Sequence, residues 1–295
     1  MREIRPLPSF NLHRPKTLRE ALELLQSLEG ARPIAGGTDL LILLRDGAIQ
    51  TKHLVDLSQV GELRYIREAD GVIHIGSMTT HSQLIGSKLI AEKASVLRES
   101  AMSTGSIQTR NRGTVGGNLC NASPAADTAP PLLVLDAKAK ISSMEDDRII
   151  PLAVLFAGPK INSLSPDELL TEIAFRVPPA NSGASFHKLG RRRSVTLAVV
   201  NAAAYLAIDG DLCKEARVAL GSVAPTPLRM TPVEERLEGR KLSKRLINEA
   251  SSECRDLVDP VDDVRASAEY RRDMACVLTG RALTDAWKRA RGNLP

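Results

Sequence analysis

The chain has 295 residues, 43% of them hydrophobic, 25% charged and only 3% aromatic, with a formal net charge of +5. That length accommodates two domains with largely aliphatic cores, and no run approaches the ~18 consecutive apolar residues of a membrane span. The basic residues are spread along the chain and base-stacking aromatics are scarce, which argues against a nucleic-acid binder.

The start, MREIRPLPSF, lacks the apolar centre of a signal peptide, so the expectation is a cytoplasmic protein. Thr17 opens TLREALELLQSLEG, a segment with its own helix signals. Thr17 and Glu20 have capping-box spacing, Leu18, Ala21, Leu22, Leu25 and Leu28 recur on one face, and Gly30 stands where a helix stops. RPIAGGTDLLILLRDG reads as a short strand, a glycine turn and an apolar segment. HLVDLS and GVIHIGSMTTHSQL read as strands, the second leading into a helix near Thr80, and residues 88–103 as a further helix. APPLLVLDA predicts a helix entered through prolines, which are tolerated in a first turn. AKAKISS, the turn at Glu145, Asp146 and Asp147, and RIIPL resemble a hairpin. ELLTEIAFRVPPANSG is a strand closed by Pro178, Pro179 and Gly183, the expected domain boundary. Beyond it, residues 185–223 predict three strands, with Asp209-Gly210-Asp211 as a hairpin turn. Helices follow at 232–238, 243–257 and 268–290, so this part is a small antiparallel sheet backed by three helices. The fold class is α+β.

Two glycine loops are the candidate sites. In Ala35-Gly36-Gly37-Thr38-Asp39-Leu40, adjacent glycines after a short strand let backbone N–H groups approach a phosphate or pyrophosphate. A tight strand-to-helix turn that binds nothing fits the same residues. Gly113-Thr114-Val115-Gly116-Gly117-Asn118 obeys the same physics, with Thr114 and Asn118 able to hydrogen-bond a ligand. Neither is a GxGxxG fingerprint or a Walker loop. Their pairing, about eighty residues apart, carries more weight than either alone, because a long dinucleotide needs two clamps.

PIAGGTDLL, TRNRGTVGGNLCNASPAADTAPPLLVLDA and FHKLGRRRS, in that order, resemble the FAD-binding medium subunit of the molybdenum hydroxylases, the group of xanthine and carbon monoxide dehydrogenases. The resemblance spans nearly the whole chain. It implies an FAD-binding domain of the vanillyl-alcohol-oxidase (PCMH) type at 1–179, in two parts (roughly 1–56 and 57–179), and a flavoprotein C-terminal domain at 180–295. It further implies noncovalent FAD, held at Ile34, Ala35, Gly36, Gly37, Thr38, Asp39 and Leu40 around the pyrophosphate. Thr114, Gly116, Gly117 and Asn118 would meet the diphosphate and ribityl portion, and Asp127 a sugar or ribityl hydroxyl. A helix N-cap is the competing role for Asp127. Thr104 and Lys188 match positions near the flavin, where a cation favours the reduced form; a solvated surface lysine is the other reading of Lys188. Leu170 matches an apolar residue beside the adenosine, and Ile107 and Asn121 complete the set. Leu197 stands where the carbon monoxide dehydrogenases stack a tyrosine on the flavin.

The resemblance implies partners as well: a large molybdenum–pterin subunit, a small subunit with [2Fe–2S] clusters, and an external acceptor (NAD⁺, quinone or oxygen), in a dimer of heterotrimers. The chain would relay electrons and carry neither catalytic nor metal-ligating residues of its own. Cys120, Cys213, Cys254 and Cys276 form no CxxC pair and read as buried thiols, Cys120 as a small apolar residue beneath the cofactor. The cysteine-rich insertion of the 4-hydroxybenzoyl-CoA reductase branch is absent. Of the histidines, only His187, beside Lys188, is placed near the flavin. Arg191-Arg192-Arg193 reads as a solvated turn or protein interface, with an anion contact as the alternative. A stand-alone FAD oxidoreductase and a non-catalytic assembly subunit are the rival functions.

Overall fold

The computed structural model describes residues 6–192 and 194–292. It begins with β1 (Asn11–His13), α1 (Leu18–Ser27), β2 (Arg32–Ile34), α2 (Leu40–Arg45) and β3 (His53–Asp56), whose strands form a parallel sheet in the order β1-β3-β2. The Thr17 hydroxyl accepts the Glu20 amide at 3.2 Å, which fixes the start of α1. The Glu20 carboxylate accepts from the Lys16 amide, so only half of the capping box forms. Ala21, Leu22 and Leu25 then turn inward with Val55, Leu57 and Leu63.

The next layer holds β4 (Ile66–Ala69), β5 (Val72–Gly76), α3 (His81–Gly86), α4 (Lys88–Lys93), α5 (Ser95–Ser103), α6 (Ile107–Arg112), α7 (Val115–Cys120), α8 (Ala129–Val134), β6 (Lys138–Ser142) and β7 (Asp147–Pro151). A small hairpin, β8 (Phe156–Gly158) with β9 (Ile161–Asn162), precedes β10 (Leu169–Arg176). The antiparallel sheet runs β4-β5-β10-β6-β7. Its inner face supplies Ile73, Ile75, Ala139, Ile173 and Phe175 to a core closed by Leu97 of α5, Leu119 of α7 and Leu132 of α8. The single helix expected at 88–103 is two. Ala94 leaves helical geometry (φ −145°, ψ 48°), and α4 has its own cap, Ser87, which accepts the Ile90 amide. Sequence periodicity carries across such a break because both halves bury the same side.

The last sheet is antiparallel, β11 (Ser182–Gly190), β12 (Ala198–Asp209), β13 (Leu212–Gly221) and β14 (Leu228–Arg229), in chain order. It has one short strand more than the sequence predicted. After it come α9 (Thr231–Leu237), α10 (Lys244–Ser252), α11 (Cys254–Leu257) and α12 (Ala268–Ala290); the helix expected at 243–257 is interrupted at Glu253. β12 is buried on both faces. Ala203, Tyr205 and Ala207 join the core of the preceding layer, while Ala202, Ala204 and Leu206 meet Ala282 and Ala286 of α12. Small residues let α12 lie close: a Cβ on Gly183 would overlap the Ala286 carbonyl. Among the described residues no helix is long and apolar enough to cross a membrane.

Candidate functional site

The first glycine loop joins β2 to α2. Gly37 has φ +73°, a left-handed conformation that glycine adopts without strain. Gly36 has no room for a side chain, since a Cβ there would overlap the Arg112 carbonyl oxygen and lie 2.9 Å from Gly113 Cα. The two loops, distant in sequence, are therefore pressed together backbone to backbone. Among the described residues the amides of Ala35, Gly36, Gly37, Thr38, Asp39 and Leu40 donate to no protein acceptor, while Gly37 and Asp39 carbonyls accept the first bonds of α2. A run of half-exposed, unclaimed N–H groups is what an anionic ligand needs. The Thr38 hydroxyl, 3.5 Å from Asp39 Oδ2, is a further donor.

The second loop is built differently. Thr114 caps α7 by accepting the Gly117 amide at 3.0 Å. The Val115 amide donates to Thr79 O, Gly116 to Ser77 O and Asn118 to Thr114 O, at 2.9 Å each. All four amides from 115 to 118 are thus spent inside the protein, contrary to the expectation that they cradle the diphosphate. Gly116 is a packing residue: a Cβ would stand 2.6 Å from Ser77 Cβ and 2.7 Å from Ser77 O. Asn118 keeps a polar group here, its Oδ1 accepting the Thr128 hydroxyl at 2.5 Å. His81 supports the loop from below: its amide donates to Gly113 O, and its ring is buried and its Nδ1 has no partner. Burial first, and the Arg110 guanidinium second, push its pKa down to about 4.

Asp127 and Lys188 meet. The Lys188 ammonium of β11 donates to Asp127 Oδ2 at 2.6 Å and to Ser103 O at 3.0 Å, and the two side chains are 8% and 7% exposed. Asn201 Nδ2, from near the start of β12, donates to Asp127 Oδ1 at 3.1 Å. The solvated-surface reading of Lys188 is therefore wrong. The N-cap reading of Asp127 fails too, because the cap position of α8 is Thr128 and no side chain caps it. Burial raises the Asp127 pKa, with Lys188 and then Asn201 opposing it.

The family model for the FAD-binding domain in molybdopterin dehydrogenase matches residues 8–179, and that for the CO dehydrogenase flavoprotein C-terminal domain matches 184–286. The chain belongs to the FAD-binding subunits of the molybdopterin dehydrogenases. It is 36% identical to the carbon monoxide dehydrogenase medium chain of Afipia carboxidovorans, over 96% of this chain and 98% of that one. It is 35% identical to the xanthine dehydrogenase FAD-binding subunit of Escherichia coli O157:H7, over 96% and 97%. Its fold superposes on carbon monoxide dehydrogenase from Hydrogenophaga pseudoflava with a TM-score of 0.94, at 32% identity over 96% of this chain and 99% of that one.

For an FAD-binding subunit the residues present fit the cofactor: the unclaimed amides at 35–40 suit an anionic group, and Thr38 and Asn118 offer polar groups. Among the other predicted positions, Thr104 is buried and its hydroxyl donates back to Ser100 O, leaving its carbonyl to Arg110 at 3.0 Å. Ile107 is 66% exposed on the segment that joins Ser103 to the second loop, and Ile34 lies half-buried at the end of β2. Asn121 caps the C-terminus of α7. Leu170 is buried in the core under the second sheet. Leu197 is 62% exposed. Cys120 is partly buried against the same core, where burial pushes its thiol up to about 12. His187 does not join the site; it lies one residue from Lys188 and so on the opposite face of β11, bonded to Asp285 of α12 at 3.0 Å. Arg191 donates to Val264 O and Arg192 to Val195 O, while Arg193 lies outside the described residues. Asn201, Arg110 and His81 were missed from sequence. Only Asn201 left a signal there, as the one side-chain amide in the otherwise apolar AVVNAAAYLA.

Proposed function

We infer that this chain is the electron-relay subunit of a molybdenum-containing hydroxylase, with FAD held noncovalently between the loop 35–40 and the segment 104–127. The observation that carries this reading is the set of unclaimed amides at 35–40, pressed against Arg112 and Gly113 of the second loop. The first loop takes the pyrophosphate, with Ile34 and Leu40 flanking it. Thr104, Ile107, Thr114, Asn118, Asn121 and Asp127 line the path towards Lys188, and Gly116 and Gly117 act by keeping the second loop thin. Residues 1–179 form the FAD-binding domain and 180–295 supply Lys188 from β11. Bound FAD supplies a two-electron carrier between one-electron [2Fe–2S] donors and an external acceptor such as NAD⁺, a quinone or oxygen.

The protein's own work is to bind, orient and tune. Lys188 spans the two parts of the chain, and its bonds to Ser103 and Asp127 fix the ammonium where the segment 103–118 begins. The partners of this reading are a large molybdenum–pterin subunit and a small [2Fe–2S] subunit, assembled as a dimer of heterotrimers in the cytoplasm. Reconstitution of the purified chain tests the binding half: it takes up about one FAD, released intact by acid. Rapid mixing of the native complex tests the relay half: the flavin is reduced and reoxidised within one turnover. A chain that takes up no FAD, or that turns over a substrate without partners, contradicts the reading.

A further inference from the structure

The charge that Lys188 brings to the site is already compensated, and the compensation is held in place by a residue with no assigned role. Asp127 and Lys188 are nearly excluded from water, so their interaction is only weakly screened. Burial works against the charged form of Asp127, and two contacts oppose that penalty: the ammonium at 2.6 Å and the Asn201 amide at 3.1 Å. Asn201 is fully buried in the first third of β12. Gly221 on the neighbouring strand leaves it space, because a Cβ at that glycine would overlap Asn201 Oδ1. β13 thus leaves out a side chain at Gly221 to seat one amide whose only side-chain hydrogen bond, among the described residues, is to Asp127.

We propose that Asn201 is a positioning residue that acts through Asp127: it keeps the carboxylate ionised and aimed at Lys188, and the paired charges set the reduction potential of the bound flavin. This rests on the reading above that FAD lies beside Lys188. A bare ammonium at the site stabilises the reduced, more negative cofactor, and the neighbouring carboxylate offsets that stabilisation. Removing either Asp127 or its amide donor therefore unmasks the cation.

The test is the midpoint potential of the full chain reconstituted with FAD, read against redox dyes, in a double-mutant cycle. Asp127→Asn raises the potential. Asn201→Leu raises it by a smaller amount, and adds nothing when Asp127 is already asparagine. Lys188→Met shifts it the other way. A potential that Asn201→Leu leaves unchanged, or shifts equally in both backgrounds, overturns the positioning role, since a purely structural effect of the substitution does not need the carboxylate. Asn201→Ala removes the same donor without bulk and answers the question if the leucine variant does not fold. Flavin uptake is measured first on the unsubstituted chain; its failure contradicts the FAD reading itself, whereas normal uptake with a flat cycle contradicts only the role of Asn201.

Discussion

The two glycine loops look alike in sequence and do opposite things. Around Gly36 and Gly37 the backbone amides have no protein acceptor among the described residues. Around Gly116 and Gly117 every amide from Val115 to Asn118 is bonded within the protein, and the missing side chain serves to bring α7 onto Ser77. A GG pair records only that a Cβ is unwelcome. Whether a ligand or another strand occupies the freed space depends on residues elsewhere in the chain, here Ser77 and Thr79 for one loop and Arg112 for the other.

Substitutions separate the two cases, beginning with the largest effect. Gly116→Val places branched carbon on Ser77 and costs about 3 kcal/mol or more through overpacking; thermal melts of the apo chain show it, and FAD binding is lost only because the fold is. An undisturbed melt removes the packing role. The second loop also rests on a histidine held neutral. With its pKa lowered from 6.5 to about 4, folding favours the neutral ring, so its contribution is present above pH 6.5 and lost as pH falls through 4. By pH 4.5 this amounts to about 2.5 kcal/mol. Urea titrations at pH 7 and 4.5 show a smaller loss in His81→Gln than in the parent chain; equal losses contradict this.

At the first loop the larger effect falls on the ligand. Gly36→Ala pushes the loop off Arg112 and weakens FAD binding about tenfold or more, equivalent to about 1.4 kcal/mol, while the far-UV spectrum of the apo chain is kept. Isothermal titration with FAD measures it, and unchanged affinity breaks the contrast between the loops. Gly37→Ala is the mildest, about 1 kcal/mol of stability from forcing alanine to φ +73°, visible as a small drop in melting temperature.

Much of the fold was legible because local rules sufficed. Thr17 caps α1 as its spacing requires, and the prolines of APPLLV do enter a helix at its first turn. The strand read in ELLTEIAFR forms as β10 and stops at Arg176, just before Pro178 and Pro179. The misreadings occurred where a local break left the pattern intact, at Ala94 and Glu253. The motif picked out two loops that the fold packs against each other, but not how their amides are used. Asp127, Lys188 and Asn201 are brought together across separations of 61 and 74 residues, which no local pattern encodes. The same limit hid the fate of two of the second loop's amides, since the acceptors of Val115 and Gly116 are Thr79 and Ser77, in the segment after β5.

Amide hydrogen exchange, followed with and without FAD, tests the central claim most directly. The amides of residues 35–40 exchange quickly in the apo chain and become protected when FAD binds, while those of 115–118 are protected in both states. Protection gained at 115–118 with residues 35–40 unchanged would contradict the account.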